Sequence, residues 1–287
     1  MRRITALCLL GLVAACGEPA NPPDSDSGPA RRIVTLAPHL AELVYAVGAG
    51  EQLVGVSAYS DYPAAVQSLP IVGDALMIDL EQLALLKPDL LLAWESGTPS
   101  HVVDEFRTRG YRVALIRTRQ LQDIASALRS IGELTGHAGE AARLADSFQN
   151  ELSVLAADYT DAGAIRVFYQ VSSRPLYTVN GSHYASELIE LCGGQNIFED
   201  LGELAPMIAE EAVLERDPEV LLAADVDGND AFSVWARWPL MSANRYDNHF
   251  LVPADEIGRP TARLVAAGRA VCQRLQQGRE QRAAAQP

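Results

Sequence analysis

No pair of histidines in this 287-residue chain stands at metal-ligand spacing. His39, His101, His137, His183 and His249 are scattered and have no nearby carboxylate cluster, which argues against a zinc or manganese centre. The sequence also lacks a G-x-S-x-G elbow, a P-loop and a G-x-G-x-x-G fingerprint. Nothing assembles a nucleophile with a base, so binding is favoured over catalysis. There is no basic block: the net charge is −14, and losing Arg2 and Arg3 with a leader takes it to −16. An acidic chain argues against nucleic acid and anionic lipid as ligands. The apolar run 6–15 is too short to span a bilayer. Asn180-Gly181-Ser182 is formally a glycosylation triplet, but it reads as a turn. Cysteine is scarce, with four in all.

What is present begins with an export signal over residues 1–15, two arginines and then the apolar run. It ends in LVAAC (12–16), which resembles a lipobox, with Cys16 as the acylated mature N-terminus. The alternative is an ordinary cleaved signal with an incidental cysteine. Residues 16–30, rich in Pro, Ser, Asp and Gly, read as anchor and flexible tether. With Cys8 and Cys16 assigned to export, Cys192 and Cys272 are an even pair in an oxidising compartment, and a disulfide between them is expected. Two separate buried thiols are the alternative.

Apolar residues recur at helical spacing over 139–159, at Ala141, Leu144, Ala145, Phe148, Leu152, Leu155, Ala156 and Tyr159. A helix of that length is roughly 30 Å long. The chain says the same thing on both sides of it. LEQLALLKPDLLL (80–92) and EEAVLERDPEVLL (210–222) superpose at an offset of 130, placing Glu81 on Glu211 and Pro88 on Pro218. Each reads as a short helix, a Pro-acid turn and a buried strand. A chance match of a common α/β phrase is the competing account. Strands near 32–36, 53–57, 90–94, 113–116, 166–171, 220–224 and 249–252 alternate with helices, including 39–47, opened by Pro38, 184–191 and a last one over 260–276. The expected fold is α/β: two similar Rossmann-like lobes, each a mainly parallel sheet flanked by helices, joined by one long rigid helix, with a ligand cleft between them. The N-terminal lobe is placed at 31–137, the linking helix at 138–160, the C-terminal lobe at 161–278 and a frayed tail at 279–287.

In open α/β sheets, ligands bind outside the carboxyl ends of the strands. Tyr59 and Tyr62 follow one strand, Trp94 ends another, Tyr177 follows the first strand of the second lobe, and Asp255 and Arg259 follow its last. Any one aromatic here is as readily half-buried packing. Together they favour a ligand with a large flat surface.

S-x-Y-S-D-Y-P (57–63), KPDL (87–90), Ala93-Trp94 and LCGGQNIF (191–198) resemble the periplasmic cobalamin-binding proteins of Btu-type ABC importers, within the helical-backbone family that binds metal chelates. The resemblance runs from about Arg31 to Gln276; KPDL and CGGxNIF are shared with haem and siderophore binders. It implies a corrinoid, cobalamin or a relative, held as transported ligand with no cofactor. It also implies delivery to a permease dimer driven by a cytoplasmic ATPase, and a monomeric, periplasmic protein that meets the membrane only through its lipid anchor. By the same resemblance, Tyr59, Trp94, Tyr177, Asp255 and Arg259 contact ligand. Cys192 and Cys272 form the family disulfide, and Glu81 and Glu211 dock on permease arginines. The chain departs from the family at Ala75 and Ala205, where tryptophans are usual, and at Gly258, where an acid is usual. A haem or ferric-siderophore binder is the runner-up, with Tyr59, Tyr62 or Tyr177 as axial ligand. An exported hydrolase or chelatase on the same scaffold is the reading from another class.

Overall fold

The computed structural model describes residues 28–74, 77–226 and 230–285. The leader, Cys16, most of the tether and Ala75 lie outside the described residues. In chain order the first half is β1 (Ile33–Thr35), α1 (Pro38–Ala46), β2 (Leu53–Gly55), α2 (Leu80–Leu86), β3 (Leu90–Trp94), α3 (Ser100–Thr108), β4 (Val113–Ile116) and α4 (Leu121–Thr135). The linking helix α5 (Ala138–Asp158) follows. Beyond it come β5 (Ile165–Gln170), β6 (Ser172–Ser173), β7 (Leu176–Tyr177), α6 (Tyr184–Leu191), β8 (Gly194–Asn196), α7 (Glu210–Arg216), β9 (Val220–Asp225), α8 (Ser242–Arg245), β10 (His249–Pro253), α9 (Ala254–Ile257) and α10 (Leu264–Ala285).

Two four-stranded sheets, β2-β1-β3-β4 and β8-β5-β9-β10, are parallel throughout. Numbered within its own sheet, each has the order 2-1-3-4, so the repeat seen in two short phrases extends to sheet topology. Strands covered on both faces read as unbroken apolar runs, as in Leu90-Leu91-Leu92-Ala93 and Val220-Leu221-Leu222-Ala223, all buried. Alternate residues then divide between layers. Val34, Leu91 and Ala93 pack outward with Phe106 of α3, and Phe168 and Leu221 pack outward with Trp235 and Phe198. Ile33, Leu90 and Leu92 face the other way, into one cluster that continues through α4 and α5 to Ile165, Val167, Val220, Leu222 and α10. The inner faces of both lobes therefore share a single core.

Within that core, α5 buries Ala141, Ala145, Phe148, Leu152 and Leu155. Its turn from α4 is set by Gly136 at φ 81°. The helices approach so closely that a Cβ on Gly132 would lie 2.2 Å from that of Ala141. A disulfide joins Cys192, at the end of α6, to Cys272 in α10, closing a loop of 80 residues. In the chain-entropy account such a ring stabilises by about 4 kcal/mol.

The last helix corrects the sequence reading. It does not stop near Gln276 with a frayed tail behind it, but continues to Ala285. Gly278 is a packing residue: a Cβ there would come within 3.0 Å of Val220. Arg279 donates to the Gly163 and Cys192 carbonyls at 2.6 Å each, and Arg282 donates to Ala164 at 3.0 Å, holding the final turns on the second sheet. The sequence reading also passed over β8, whose Gly-Gln-Asn has little strand propensity, and the short β6–β7 hairpin that carries Tyr177.

Candidate ligand cleft

Loops leaving the carboxyl ends of the two sheets meet at two sets of contacts. On one side Arg259, just after α9, reaches across to the first lobe. Its Nη1 donates to Glu42 Oε1 at 2.7 Å and to Asp61 Oδ1 at 2.5 Å, and its Nη2 to the Tyr59 carbonyl at 3.4 Å. Arg263 lies 3.5 Å from Glu42 Oε2 and stacks over the Tyr62 ring at 4.4 Å. Here Glu42, Tyr45, Tyr62, Pro63, Thr261 and Arg263 line an interlobe cavity of about 310 Å³. On the other side the Tyr184 amide donates to the Arg119 carbonyl at 2.7 Å, and the Leu121 amide to Glu187 Oε2 at 2.6 Å. Arg119 is fixed in turn by a two-pronged pair with Glu95 at 3.0 Å.

The electrostatics follow from burial and these pairs. The Arg259 guanidinium holds the Asp61 carboxyl below the usual carboxylate range, and the bond to Asp61 pushes Arg259 further up, with Glu42 adding to it. Burial, helped by the Arg259 charge, lowers His39 to about 3, so its imidazole is neutral at physiological pH. His39 packs against Trp94 edge to face with centroids 5.0 Å apart. Burial raises the Glu187 carboxyl, but the Leu121 amide occupies it. Among the described residues no group of three or more His, Cys, Asp and Glu is placed to hold a metal ion.

The residues singled out from sequence fall at different depths. Tyr59, in left-handed backbone at φ 65°, is 81 % exposed. Trp94 is half-buried, packed between His39 and Gly97 and against the shared core. Tyr177 is half-buried on β7 and bridges Met207. Asp255 is exposed in α9, beside a shallow groove of about 460 Å³ also lined by Asp225, Glu256 and Arg263. Arg259 is spent mainly on carboxylates of the other lobe. Gly258 ends α9, where a Cβ would lie 2.8 Å from the Ala254 carbonyl oxygen, and Ala205 is exposed. Glu42, Asp61 and Arg263 join Arg259 in the polar contact between the lobes, and the sequence reading named none of the three as a ligand residue. The signal for Glu42 was available: a lone carboxylate amid the apolar residues of α1, where a buried charge needs a partner.

The repeated phrase proves to be a polar staple. In the first lobe Asp89 accepts the amides of Arg31 and Arg32, and Arg32 donates to the Leu86 and Lys87 carbonyls at the end of α2. In the second, Glu219 accepts the Arg166 amide and Arg166 donates to the Asp217 carbonyl at the end of α7. Lys87 and Asp217 both turn through left-handed backbone, at φ 47° and 41°. Leu83 and Val213 are buried, while Glu81 and Glu211, each second after its helix cap, point to solvent.

Two sheets of one topology, facing each other across a tied floor and backed by one helix, define a two-lobed solute-binding protein of the helical-backbone kind. A family model described as Periplasmic binding protein matches residues 33–242, and the chain belongs to that family. The vitamin B12-binding protein of Vibrio parahaemolyticus is 33% identical over 255 residues, covering 88% of this chain and 92% of that one. That of Vibrio cholerae El Tor is 34% identical over 257 residues, with 88% and 92% covered. The crystal structure of the periplasmic vitamin B12 binding protein BtuF of Vibrio cholerae superposes with a TM-score of 0.81 at 33% identity, covering 88% of this chain and 100% of that chain. The periplasmic haem-binding protein HutB of Vibrio cholerae shares the fold, with a TM-score of 0.72, 21% identity and 85% and 98% covered.

Proposed function

We propose that this chain is the substrate-binding component of an ABC importer, capturing cobalamin or a related corrinoid outside the cytoplasm and passing it to a permease dimer driven by a cytoplasmic ATPase. It works as a monomer without a cofactor, tethered to a bacterial membrane through an acylated Cys16. The observation that carries this reading is the 33% identity, over nearly the whole domain, to a vitamin B12 binding protein, together with the TM-score of 0.81. The lobes are 31–137 and 161–285, the second carried to the end of its last helix, with 138–160 between them.

Tyr59, Trp94, Tyr177 and Asp255 are the ligand-facing set. Arg259 presents its remaining donor capacity to the ligand while closing the floor. Aromatic faces at strand ends in both lobes suit a macrocycle with two broad surfaces. Glu81 and Glu211 dock on the permease: one exposed carboxylate at the same place on each lobe gives a charge pattern that suits a symmetric dimer and fixes register. Helix-dipole stabilisation alone also accounts for an acid in the first turn. Reversing both to lysine separates the two accounts, because docking requires uptake to be lost while corrinoid affinity is kept.

A haem reading has one observation in its favour, the exposed Tyr59 phenol, which could serve as an axial ligand. Calorimetric titration of the purified full-length chain with cyanocobalamin, then cobinamide and haemin as competitors, decides. One-to-one cyanocobalamin binding that haemin does not displace supports the corrinoid; haemin binding with no corrinoid binding reverses it. Turnover of neither ligand is expected, and a product in either titration would revive the hydrolase or chelatase account.

A further inference from the structure

Of the methionines at 77, 207 and 241, only Met241 is packed away, in the outer core of the second lobe. Met77 is 77% exposed and Met207 66%. Their numbers differ by 130, the offset of the repeat, so they stand at equivalent places, two residues before the helix caps Asp79 and Ala209. Each lies in a segment bonded to the loop that carries its own lobe's exposed or half-buried tyrosine. In the first lobe the Ala58 amide, next to Tyr59, donates to the Gly73 carbonyl at 2.7 Å. Asp74 and Met77 are tied to each other by the Asp74 amide on the Met77 carbonyl at 2.9 Å and the Met77 amide on Asp74 Oδ1 at 2.8 Å. In the second lobe Met207 pairs antiparallel with Tyr177, flanked by the Thr178 amide on Pro206 and the Ile208 amide on Leu176. Directly opposed residues of an antiparallel pair put their side chains on one face, about 5 Å apart. Met207 therefore shares a face with Tyr177.

Resting on the corrinoid reading above, we propose that Met77 and Met207 are a pair of apolar lips, one on each lobe, whose thioethers pack against the bound macrocycle beside Tyr59 and Tyr177. An unbranched, polarisable side chain follows the shape of a ligand more readily than a rigid ring does, and thioether–π contact is favourable. The pair makes each lobe contribute one tyrosine and one methionine to the mouth of the cleft.

Hydrogen peroxide converts accessible thioethers to sulfoxides, and peptide mass spectrometry reads the rate at each site. The full-length chain is oxidised with and without cyanocobalamin, its binding verified by calorimetry on the same sample. Both Met77 and Met207 are expected to oxidise roughly fivefold more slowly when the ligand is bound, with Met241 slow in either state. Unchanged rates with cyanocobalamin bound overturn this inference and leave the function standing. A sample that binds no cyanocobalamin overturns the function, and the lips with it. Slowing that needs the permease complex rather than the ligand assigns the pair to docking and also overturns the proposal. Independently, the double variant Met77→Ala/Met207→Ala should raise the Kd about tenfold without moving the Tm, since both side chains are exposed. The double leucine variant should restore affinity to within about threefold, and an unaltered Kd in the alanine pair contradicts the proposal.

Discussion

The two lobes use one staple at two depths. In the N-terminal lobe the acid after the proline, Asp89, is exposed and accepts the amides of Arg31 and Arg32, just before the first strand. In the C-terminal lobe its counterpart Glu219 is buried, takes the Arg166 amide at 2.9 Å and also binds Arg282 of the last helix at 3.0 Å. That lobe alone has the disulfide, which ties the same helix to α6. A repeated topology thus leaves room for unequal anchoring. The second lobe is fixed by its C-terminal helix, and the first by the helical hairpin α4–α5 with which it shares a core.

The comparison breaks most visibly at the disulfide. Changing Cys192 and Cys272 to serine together should lower unfolding free energy by about 4 kcal/mol, measured by denaturant titration, with no matching site in the first lobe. Next comes the contact that joins the lobes. Glu42→Ala leaves Arg263 without its carboxylate and Arg259 with only the more exposed Asp61, and should cost about 3 kcal/mol in the same assay. Within the staple, Glu219→Ala should cost about 2 kcal/mol because the half-buried Arg166 amide and Arg282 guanidinium lose a buried acceptor, and Asp89→Ala about 1 kcal/mol or less. Equal losses would mean that depth does not matter. Acid sharpens the picture at the cleft floor. His39 sits at about 3 in the folded protein, below its unfolded value near 6.5, so the unfolded state binds the extra proton between those limits. Stability should therefore fall as pH drops from about 6.5 towards 3, by at most about 1.4 kcal/mol per pH unit for this residue. His183, lowered by burial to about 4, acts in the same direction. Tm measured from pH 7 to pH 4 should decline less steeply in His39→Asn.

The repeat was legible because its phrases are local: a helix, a proline, an acid and an apolar strand within thirteen residues at a fixed offset. Periodicity likewise placed α5 to within a residue at each end. Legibility failed where contacts join distant residues. Arg259 and Glu42 are 217 residues apart, and nothing in either neighbourhood names the other. It failed again where polar side chains do structural work at range. The segment QQGREQRAAA reads as a helix running out, yet Arg279 and Arg282 hold it to the loop before β5. Aromatic type at strand ends indicated the cleft, but not that Trp94 would pack into its own lobe while Tyr59 stands clear.

A shared inner core, a 21-residue linking helix and ties at both ends of the floor leave no hinge between the lobes. The most direct measurement is the distance between nitroxide labels at positions 81 and 211, read by pulsed dipolar spectroscopy on the free and the cyanocobalamin-bound protein. A single distribution whose mean moves by no more than about 2 Å agrees with two lobes held as one body. A broad free-state distribution that narrows and shifts by roughly 5 Å or more on binding contradicts it.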